Sequence, residues 1–403
     1  MGRIPEDTLR SLIAAAGIET WSWISPAELP SDERTLREEA YHRWIDDGMH
    51  GGMDYLVRHA PRKYRPEQIV PGAGTLLVML FPYYQELPSM QQQVRNTAGN
   101  SRQYTGGEIR VEKGLIARYA WGRDYHRIIK KKLKSLIAAL SAYYPNDRFR
   151  GFTDTGPLDE RFFSARAELG HLGRNGMLIS PRFGSWVFIA EIITTLQVDH
   201  QDNRSSGLST IVYGGNSAGS QPSGKIGPAP SPPAACPPTC SLCRQSCPTG
   251  ALRPDGGFDA RKCISYLTIE HDGPIPTELR PLIGSRLFGC DTCQEVCPLN
   301  RSAEATGVPG FLTHIAGPAL ELGDLLTIRS REQMVQRFAG SPLMRLSLVQ
   351  LLRNAIVAAG NSGSVELLPL LRPLAESTEG MLTEHAEWAI KQLQGVGGAF
   401  EGV

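Results

Sequence analysis

The sequence has no cysteine outside one short segment. All eight cysteines lie between residues 236 and 297 of a 403-residue chain. Disulfides stabilise most when they close long loops, so this clustering argues against a disulfide framework. A cytoplasmic chain would also keep its thiols reduced. We therefore expect reduced thiols with a local task.

Long apolar runs and a strong net charge are absent as well. No stretch of about 18 apolar residues occurs, so we expect no membrane span. The start, MGRIPEDTLRSLIAAAG, lacks the basic region, apolar core and cleavage site of a secretory signal. These absences predict a cytoplasmic protein. The net charge of +1 neither requires nor excludes a nucleic-acid partner.

One stretch is nevertheless basic. Residues 121–150 carry eight Lys or Arg against two Asp, a net +6. Residues 125–144 are predicted to form a helix with an apolar stripe on one side and the lysines on the other. The positive side is either a surface that faces phosphates or an ordinary solvated helix face.

The order of segments predicts a multidomain α+β or α/β protein. Residues 1–199 mix predicted helices (1–20, 31–48, 159–169) with strands at TLLVMLFPYY and FRGFTD. GMLIS and WVFIAEIITTL are predicted as two strands joined by the turn PRFG. Residues 200–235 are a Gly/Ser/Pro-rich linker or insertion. Residues 236–310 contain the cysteines. Residues 311–403 are predicted to be helical, either as HEAT-type repeats or as a small bundle.

The cysteine segment contains two similar motifs, CSLCRQSCP and CDTCQEVCP. Both have the form CxxCxxxCP, the run that bacterial ferredoxins use for 4Fe–4S clusters. A zinc site could use the pairs Cys240/Cys243 and Cys290/Cys293. Zinc, however, has no need of the third cysteine before proline, and eight cysteines divide into two sets of four. The sequence therefore predicts two 4Fe–4S clusters.

In such runs three cysteines bind one cluster and the cysteine before proline binds the other. This crossing gives a definite assignment. Cys236 is the least regular ligand, because three residues separate it from Cys240 where ferredoxins have two. Cluster one is assigned Cys236, Cys240, Cys243 and Cys297, and cluster two is assigned Cys247, Cys263, Cys290 and Cys293.

Longer motifs resemble a known family. RGFTDTGPLDERFFSARAELGHLGRNGMLISPRFGSWVFIAEI, CISYLTIEHDGPIPTELRPLIGSRLFGCDTCQEVCPLN and LRNAIVAAGNSG closely resemble epoxyqueuosine reductases, over about residues 5–395. The resemblance implies a cytoplasmic enzyme with cobalamin and two 4Fe–4S clusters. Such an enzyme reduces an epoxide on the modified wobble base of tRNA to an alkene, which completes queuosine. The implied fold is a cobalamin-binding α/β domain, a ferredoxin-like cluster domain and a C-terminal HEAT-like domain.

The resemblance also implies site residues. Asp154 in the DT motif corresponds to the proton donor and is expected at the carboxyl end of a strand, where α/β proteins place ligands. Its alternative use is a turn or a helix N-cap. Lys63, Leu178 and Ile189 correspond to contacts with the corrin. Tyr125 is expected to pack at a helix start rather than to act in the site.

The segment CISYLTIE is expected to contact a cluster, the cofactor or tRNA, with Ser265, Tyr266 and Glu270 as candidates. The implied partners are a tRNA anticodon stem-loop and an electron donor such as a flavodoxin or ferredoxin, and the protein is expected to be a monomer. Two rival functions stay open. One is another corrinoid iron–sulfur reductase that acts on a small molecule, and the other is a non-enzymatic electron-transfer module or RNA-binding scaffold.

Overall fold

A computed structural model describes residues 2–86, 112–199, 212–213 and 236–397. The chain forms two compact units, each assembled from three segments. The first unit comprises Met1–Tyr84, Tyr125–Ser241 and Cys297–Val308, and the second comprises Gln85–Asp124, Leu242–Val296 and Pro309–Val403. A search of the described residues finds no helix that is long and apolar enough to span a membrane.

Strands and helices are interspersed along the chain. In order, the strands are β1 (Arg3–Pro5), β2 (Thr20–Ile24), β3 (Thr75–Pro82), β4 (Lys113–Ile116), β5 (Phe149–Phe152), β6 (His171–Leu172), β7 (Leu178–Ile179), β8 (Val187–Thr194), β9 (Gln197–Asp199), β10 (Val212–Tyr213), β11 (Arg286–Phe288) and β12 (Ala319–Glu321). The helices up to residue 200 are α1 (Glu6–Ala15), α2 (Ser31–Asp46), α3 (Asp54–His59), α4 (Pro66–Ile69), α5 (Tyr125–Tyr143) and α6 (Glu160–Arg166). The later helices are α7 (Leu242–Gln245), α8 (Ile264–Ile269), α9 (Arg280–Ile283), α10 (Thr292–Glu295), α11 (Pro309–Leu312), α12 (Leu322–Leu326), α13 (Arg331–Phe338), α14 (Leu348–Gly360), α15 (Leu368–Ala375) and α16 (Gly380–Gly397).

The first unit is built on a five-stranded sheet with the order β10–β2–β3–β8–β5. Every neighbouring pair in it is antiparallel. The sheet therefore fits the α+β form of the expected fold class. The parallel-strand rule that placed Asp154 at a ligand-binding edge does not apply here, because it concerns parallel sheets. Part of the predicted linker also enters this sheet, since β10 pairs with β2. The rest of residues 200–235 lies outside the described residues.

Helices cover both faces of the sheet. On one face α5 packs over Gly151, where an added Cβ would lie 3.1 Å from the Ile137 side chain. The buried stripe of α5 follows the apolar periodicity that the sequence predicts. The other face carries a core cluster in which Val78, Ile189 and Ile193 join Phe162 and Phe163 of α6. Both faces of β3 and β8 are thus removed from water.

Most predicted elements of the first unit are confirmed within a few residues. GMLIS and WVFIAEIITTL contain two strands joined by a turn, as predicted, but these strands do not pair with each other. Strand β7 pairs with β6, whereas β8 enters the five-stranded sheet. A single bridge between Ser180 and Gly184 closes the turn between them. Residues 1–20 also hold β1 and the start of β2 besides the expected helix.

The second unit combines a small sheet with a helical layer. Strand β4 lies between β11, which is parallel to it, and β12, which is antiparallel. Helix α14 begins with a capping box formed by Ser347 and Gln350 and is buried from Leu351 to Gly360. At Gly360 a Cβ would lie 2.6 Å from the Trp388 side chain, so glycine allows α16 to pack closely against α14.

Candidate active site

Asp154 occupies a strained turn just after β5. Its φ of 60° lies in the left-handed region, which few residues other than glycine adopt. The Thr155 N–H donates to the Thr153 carbonyl at 2.6 Å, and the Asp154 N–H donates to Glu160 Oε2 at 3.3 Å. The Asp154 side chain remains 51% exposed. The turn therefore presents this carboxylate outward, where a ligand can reach it.

Two residues at the start of α5 contact the Asp154 carboxylate. The Tyr125 hydroxyl donates a hydrogen bond to Asp154 Oδ2, and His126 Nε2 lies 3.7 Å from the same oxygen. Tyr125 stacks on Phe188, with ring centroids 4.0 Å apart, which fixes the phenol in place. Tyr125 therefore packs as expected from the sequence and also orients the carboxylate.

A group of buried charges lies behind this turn. Lys63 is 9% exposed, and its Nζ lies 4.7 Å from the centroid of the Tyr41 ring. Its carbonyl accepts from the Asp159 N–H at 2.9 Å. Asp159 caps α6 by accepting from the Phe162 N–H, and it accepts from the Tyr64 hydroxyl at 2.9 Å. Asp159, rather than Asp154, is thus the N-cap residue of this segment.

Glu191 and Glu160 complete the group. Glu191 lies in β8 opposite Phe152, is 2% exposed, and its Oε1 has no hydrogen-bond partner among the residues that the structure describes. Side chains alternate along a strand, so Glu191 shares a sheet face with Ile189 and Ile193 of the core cluster. Glu160 is the first residue of α6.

Burial and like charges shift the pKa values of both acids upward. Burial is the largest cause for Glu160, and the charge of Asp154 adds to it; together they raise its pKa to about 8. Burial, followed by the charges of Glu160 and Asp159, raises the pKa of Glu191 well above its ordinary range. Both carboxyls therefore hold protons near neutral pH. Burial lowers the pKa of Lys63, although the Asp159 charge opposes this.

Asp159 behaves in the opposite way. Burial alone would raise its pKa, but the charges of Arg161 and Lys63 and the bond from Tyr64 outweigh burial and lower it. The site thus holds one ionised buried carboxylate beside two neutral ones. Such separation of environments is typical of sites that move protons.

Sequence reasoning missed Glu160 and Glu191. The available signal for Glu191 was a single acid in the apolar run WVFIAEIITTL. An unpaired carboxyl in a buried strand is costly, so it carries information about function. Glu160 offered no such signal, because an acid in the first turn of a helix is an ordinary feature.

The remaining predicted cofactor residues lie in both units. Leu178 (2% exposed) and Ile189 (6% exposed) are buried in strands of the first unit. The Ile189 carbonyl accepts from the Thr153 hydroxyl at 3.1 Å. Ser265, Tyr266 and Glu270 follow Cys263 in the second unit, where Tyr266 is buried and Glu270 is exposed. Of these residues and Lys63, only Glu270 offers an exposed side chain.

Four cysteines of the second unit lie close together. Cys263 is the N-cap residue of α8, and its side chain makes no capping hydrogen bond. Burial raises the pKa of the Cys263 thiol to about 11, and charges on Cys290 and Cys247 act in the same direction. Burial also raises the pKa of Cys293, and Cys290, Cys263 and Cys247 contribute. These are the four thiols assigned to cluster two.

Three cysteines of the first unit form a similar group. Burial raises the pKa of Cys297, and charges on Cys236 and Cys240 add to this effect. Arg174 donates to the carbonyl of Pro238 at 2.6 Å and to that of Cys240. Arg174 thereby holds the segment that contains the extra residue between Cys236 and Cys240. Cys243, the fourth thiol assigned to cluster one, belongs to the second unit.

The described residues contain no group of three or more His, Cys, Asp or Glu side chains suited to one metal ion. A zinc ion would need its four thiolates around a single centre. A 4Fe–4S cluster binds each thiolate through a different iron, so its ligands stand farther apart. A 4Fe–4S cluster therefore needs a wider set of thiolates than a single zinc ion.

Comparisons with known proteins agree with this chemistry. Residues 236–300 match a family model described as "4Fe-4S double cluster binding domain". Residues 63–155 match one described as "Epoxyqueuosine reductase QueG, DUF1730". The double-cluster domain defines the chain as an iron–sulfur protein.

Relatives that match most of the chain show which family of iron–sulfur proteins it belongs to. An epoxyqueuosine reductase of Pseudomonas aeruginosa is 34% identical over 92% of this chain and 89% of its own length. One of Xanthomonas campestris is 31% identical over 95% of each chain. A crystal structure of an epoxyqueuosine reductase with an epoxyqueuosine-modified tRNA-Tyr stem loop is 25% identical, with a TM-score of 0.74 over 96% of this chain and 90% of that one. The chain belongs to the epoxyqueuosine reductase family.

Proposed function

We propose that this protein reduces epoxyqueuosine to queuosine at the wobble position of tRNA, in the cytoplasm, with cobalamin and two 4Fe–4S clusters. Family membership over most of the chain supports the activity. The observation that carries the proposal is the outward carboxylate of Asp154, held by Tyr125 and flanked by His126. An outward acid in a tyrosine- and histidine-lined site suits proton delivery to a leaving oxygen.

The protein's own residues position and protonate the substrate. Asp154 gives a proton to the epoxide oxygen, and the Tyr125 hydroxyl keeps Oδ2 aimed at that oxygen. His126, whose Nε2 lies 3.7 Å from the same oxygen, stabilises the negative charge that is left on Asp154. When bound, cobalamin supplies a strongly reducing cobalt, and the clusters supply electrons one at a time.

The proposed cluster ligands keep the crossed scheme. The mutual proximity of Cys247, Cys263, Cys290 and Cys293 supports cluster two. The group of Cys236, Cys240 and Cys297 supports the larger part of cluster one. The backbone groups of Tyr266 and Ser265 oppose the burial-driven rise in the pKa of Cys263 and so favour its thiolate form.

For the corrin we propose Asp154 and Glu270 as side-chain contacts. Leu178 and Ile189 are buried, so they would offer backbone rather than side chains. Lys63, Ser265 and Tyr266 are retained as proposed corrin contacts on the basis of the family resemblance.

We also propose a HEAT-like role for the C-terminal helices, a flavodoxin or ferredoxin as electron donor, and a monomeric state.

The proposal is tested by anaerobic reconstitution with cobalamin, iron and sulfide. The protein is then given a low-potential reductant and tRNA that carries epoxyqueuosine. We expect the digested tRNA to lose the mass of one oxygen. Retention of that oxygen with fully reconstituted protein would refute the proposed activity and favour a different corrinoid reductase.

Asp154→Asn tests the assigned proton donor. The amide keeps the size of the side chain but cannot give up a proton at neutral pH, so turnover should fall by about 10²–10⁴-fold. Iron content should not change. Asp32→Asn, at an exposed position in α2, is the matched control and should keep full activity. Equal turnover in the two variants would remove Asp154 from the reaction.

A further inference from the structure

The proposed reaction consumes more protons than Asp154 can hold. Conversion of an epoxide to an alkene breaks two C–O bonds, forms one C=C π bond and releases the oxygen as water. This takes two electrons, supplied by the low-potential donor, and two protons. One carboxyl carries only one proton. A second proton must therefore reach the oxygen while the substrate still covers Asp154.

Glu160 lies next to Asp154 on the protein side of the turn. Its Oε2 accepts the Asp154 N–H at 3.3 Å, so the Glu160 carboxyl contacts the backbone of Asp154 directly. The same bond helps to hold Asp154 in its left-handed conformation. Glu160 is only partly exposed to solvent, whereas the Asp154 side chain is half exposed.

Glu191 lies on the buried side of this group. It is 2% exposed in the core of the sheet, and no described residue donates to its Oε1. An ionised carboxylate here would have one oxygen without water or a described hydrogen-bond donor, which is costly. Glu191 is therefore a neutral acid beside Glu160, whereas Asp159 is the ionised member of the group.

Resting on the proposed function, we propose that Glu160 is a positioning residue that supplies the second proton through Asp154. After Asp154 has protonated the epoxide oxygen, the carboxyl of Glu160 gives its proton to the Asp154 carboxylate. Asp154 then protonates the oxygen again, and the oxygen leaves as water. Glu160 ends as a carboxylate and regains its proton from solvent after product release.

Burial raises the pKa of Glu160 most, the charges of Asp154 and Asp159 add to this rise, and Arg161 opposes it. Glu191 is faced by Glu160, Asp159 and Lys63. With a pKa of about 8, Glu160 is protonated below that pH and loses its proton above it. The supply should therefore operate at neutral pH and fail in alkali.

Single-turnover reduction of epoxyqueuosine-tRNA by the reconstituted holoenzyme tests the proposal. Glu160→Gln keeps an oxygen that accepts the Asp154 N–H but has no proton to give. We expect the rate to fall by about 10–100-fold. The wild-type rate should also decline above pH 8, and this decline should be absent in the variant. Glu160→Asp should restore much of the rate and the alkaline decline. Glu39→Gln, exposed on α2, should match the wild type.

The two proposals fail in different ways. An inactive wild type refutes the proposed function. An active wild type with an unchanged rate and pH profile in Glu160→Gln overturns the role of Glu160 alone.

Infrared spectroscopy provides a readout without substrate or cofactor. The C=O stretch of a protonated carboxyl should disappear in the wild type with a midpoint near pH 8. Glu160→Gln should abolish this titration, whereas Glu191→Gln should remove a different protonated band. If no protonated carboxyl is present at pH 7, or if the titrating band persists in Glu160→Gln, the proposal is wrong.

Discussion

Single residues carry most of the chemical information in the first unit. Asp154 was identified from its motif, but its left-handed backbone and its bond to Glu160 were not predictable, because both depend on the turn that follows β5. Glu191 shows the same limit. Glu191 is conspicuous as an acid in an apolar run. Its burial and its raised pKa, however, depend on strands and a helix from distant parts of the sequence.

Glu191 should make the stability of the protein depend on pH. Its pKa is raised in the folded state, so the folded protein binds more protons than the unfolded chain above pH ~4.3. Stability is then lost as the pH rises from that value toward the folded pKa, by up to about 1.4 kcal/mol per pH unit. Glu191→Gln removes this loss. Its advantage in free energy of unfolding over the wild type should grow with pH.

Urea unfolding at pH 5, 6.5 and 8 measures this difference. Glu39→Gln serves as the control, and its stability should follow that of the wild type at every pH. Parallel curves for Glu191→Gln and the wild type would contradict a buried, protonated Glu191.

At the scale of elements, the motif LRNAIVAAGN has a role in the structure that the sequence did not predict. The sequence suggested a helical repeat. In the structure the fully buried Arg353 of α14 donates to the carbonyls of Leu267, His271 and Gly273 at 2.6–2.8 Å. The next residue, Asn354, donates to the carbonyls of Thr268 and Leu287. The polar residues of α14 therefore hold two elements in place. Helix α8 follows the proposed ligand Cys263, and strand β11 precedes the proposed ligand Cys290.

Arg353→Ala should destabilise the second unit strongly. It removes the donor to the carbonyls of Leu267 and Gly273, whereas the His271 carbonyl keeps its bond from Gln350. Each buried unsatisfied group costs about 1–3 kcal/mol, so we expect a loss of at least about 2 kcal/mol in the free energy of unfolding, with less iron retained in cluster two. Arg372→Ala, exposed on α15, should change stability by less than about 0.5 kcal/mol. Chemical unfolding and iron analysis measure both effects. Similar values for the two variants would show that the Arg353 bonds are dispensable.

For the whole molecule, the succession of segments was predictable and their assembly was not. Periodicity located β3, β5, α5 and α6, because each buries residues at its own local spacing. The antiparallel sheet order and the three-segment composition of each unit depend on contacts between distant segments. Local patterns carry no record of such contacts. The cysteine spacing was more informative, since cluster geometry itself constrains the sequence.

The basic face of α5 is the candidate surface for binding the proposed RNA partner. Lys130, Lys131 and Lys134 are exposed on this helix. Lys132 is different, because its Nζ donates to the Gly17 carbonyl at 2.5 Å. If the face contacts phosphates, each exposed lysine releases about one counterion when RNA binds. The lysines would then contribute affinity that decreases with salt.

The triple change of Lys130, Lys131 and Lys134 to Ala should lower the slope of log Kd against log salt by about 2–3 for epoxyqueuosine-tRNA. Lys132→Ala removes the same charge from the same helix but only an internal hydrogen bond. It should leave the slope unchanged and cost about 1 kcal/mol of stability. Binding measured between 50 and 200 mM salt, a range of about fourfold that resolves such slopes, separates the two interpretations of this helix. An unchanged slope in the triple variant would mean that the lysines are a solvated face and that RNA binds elsewhere.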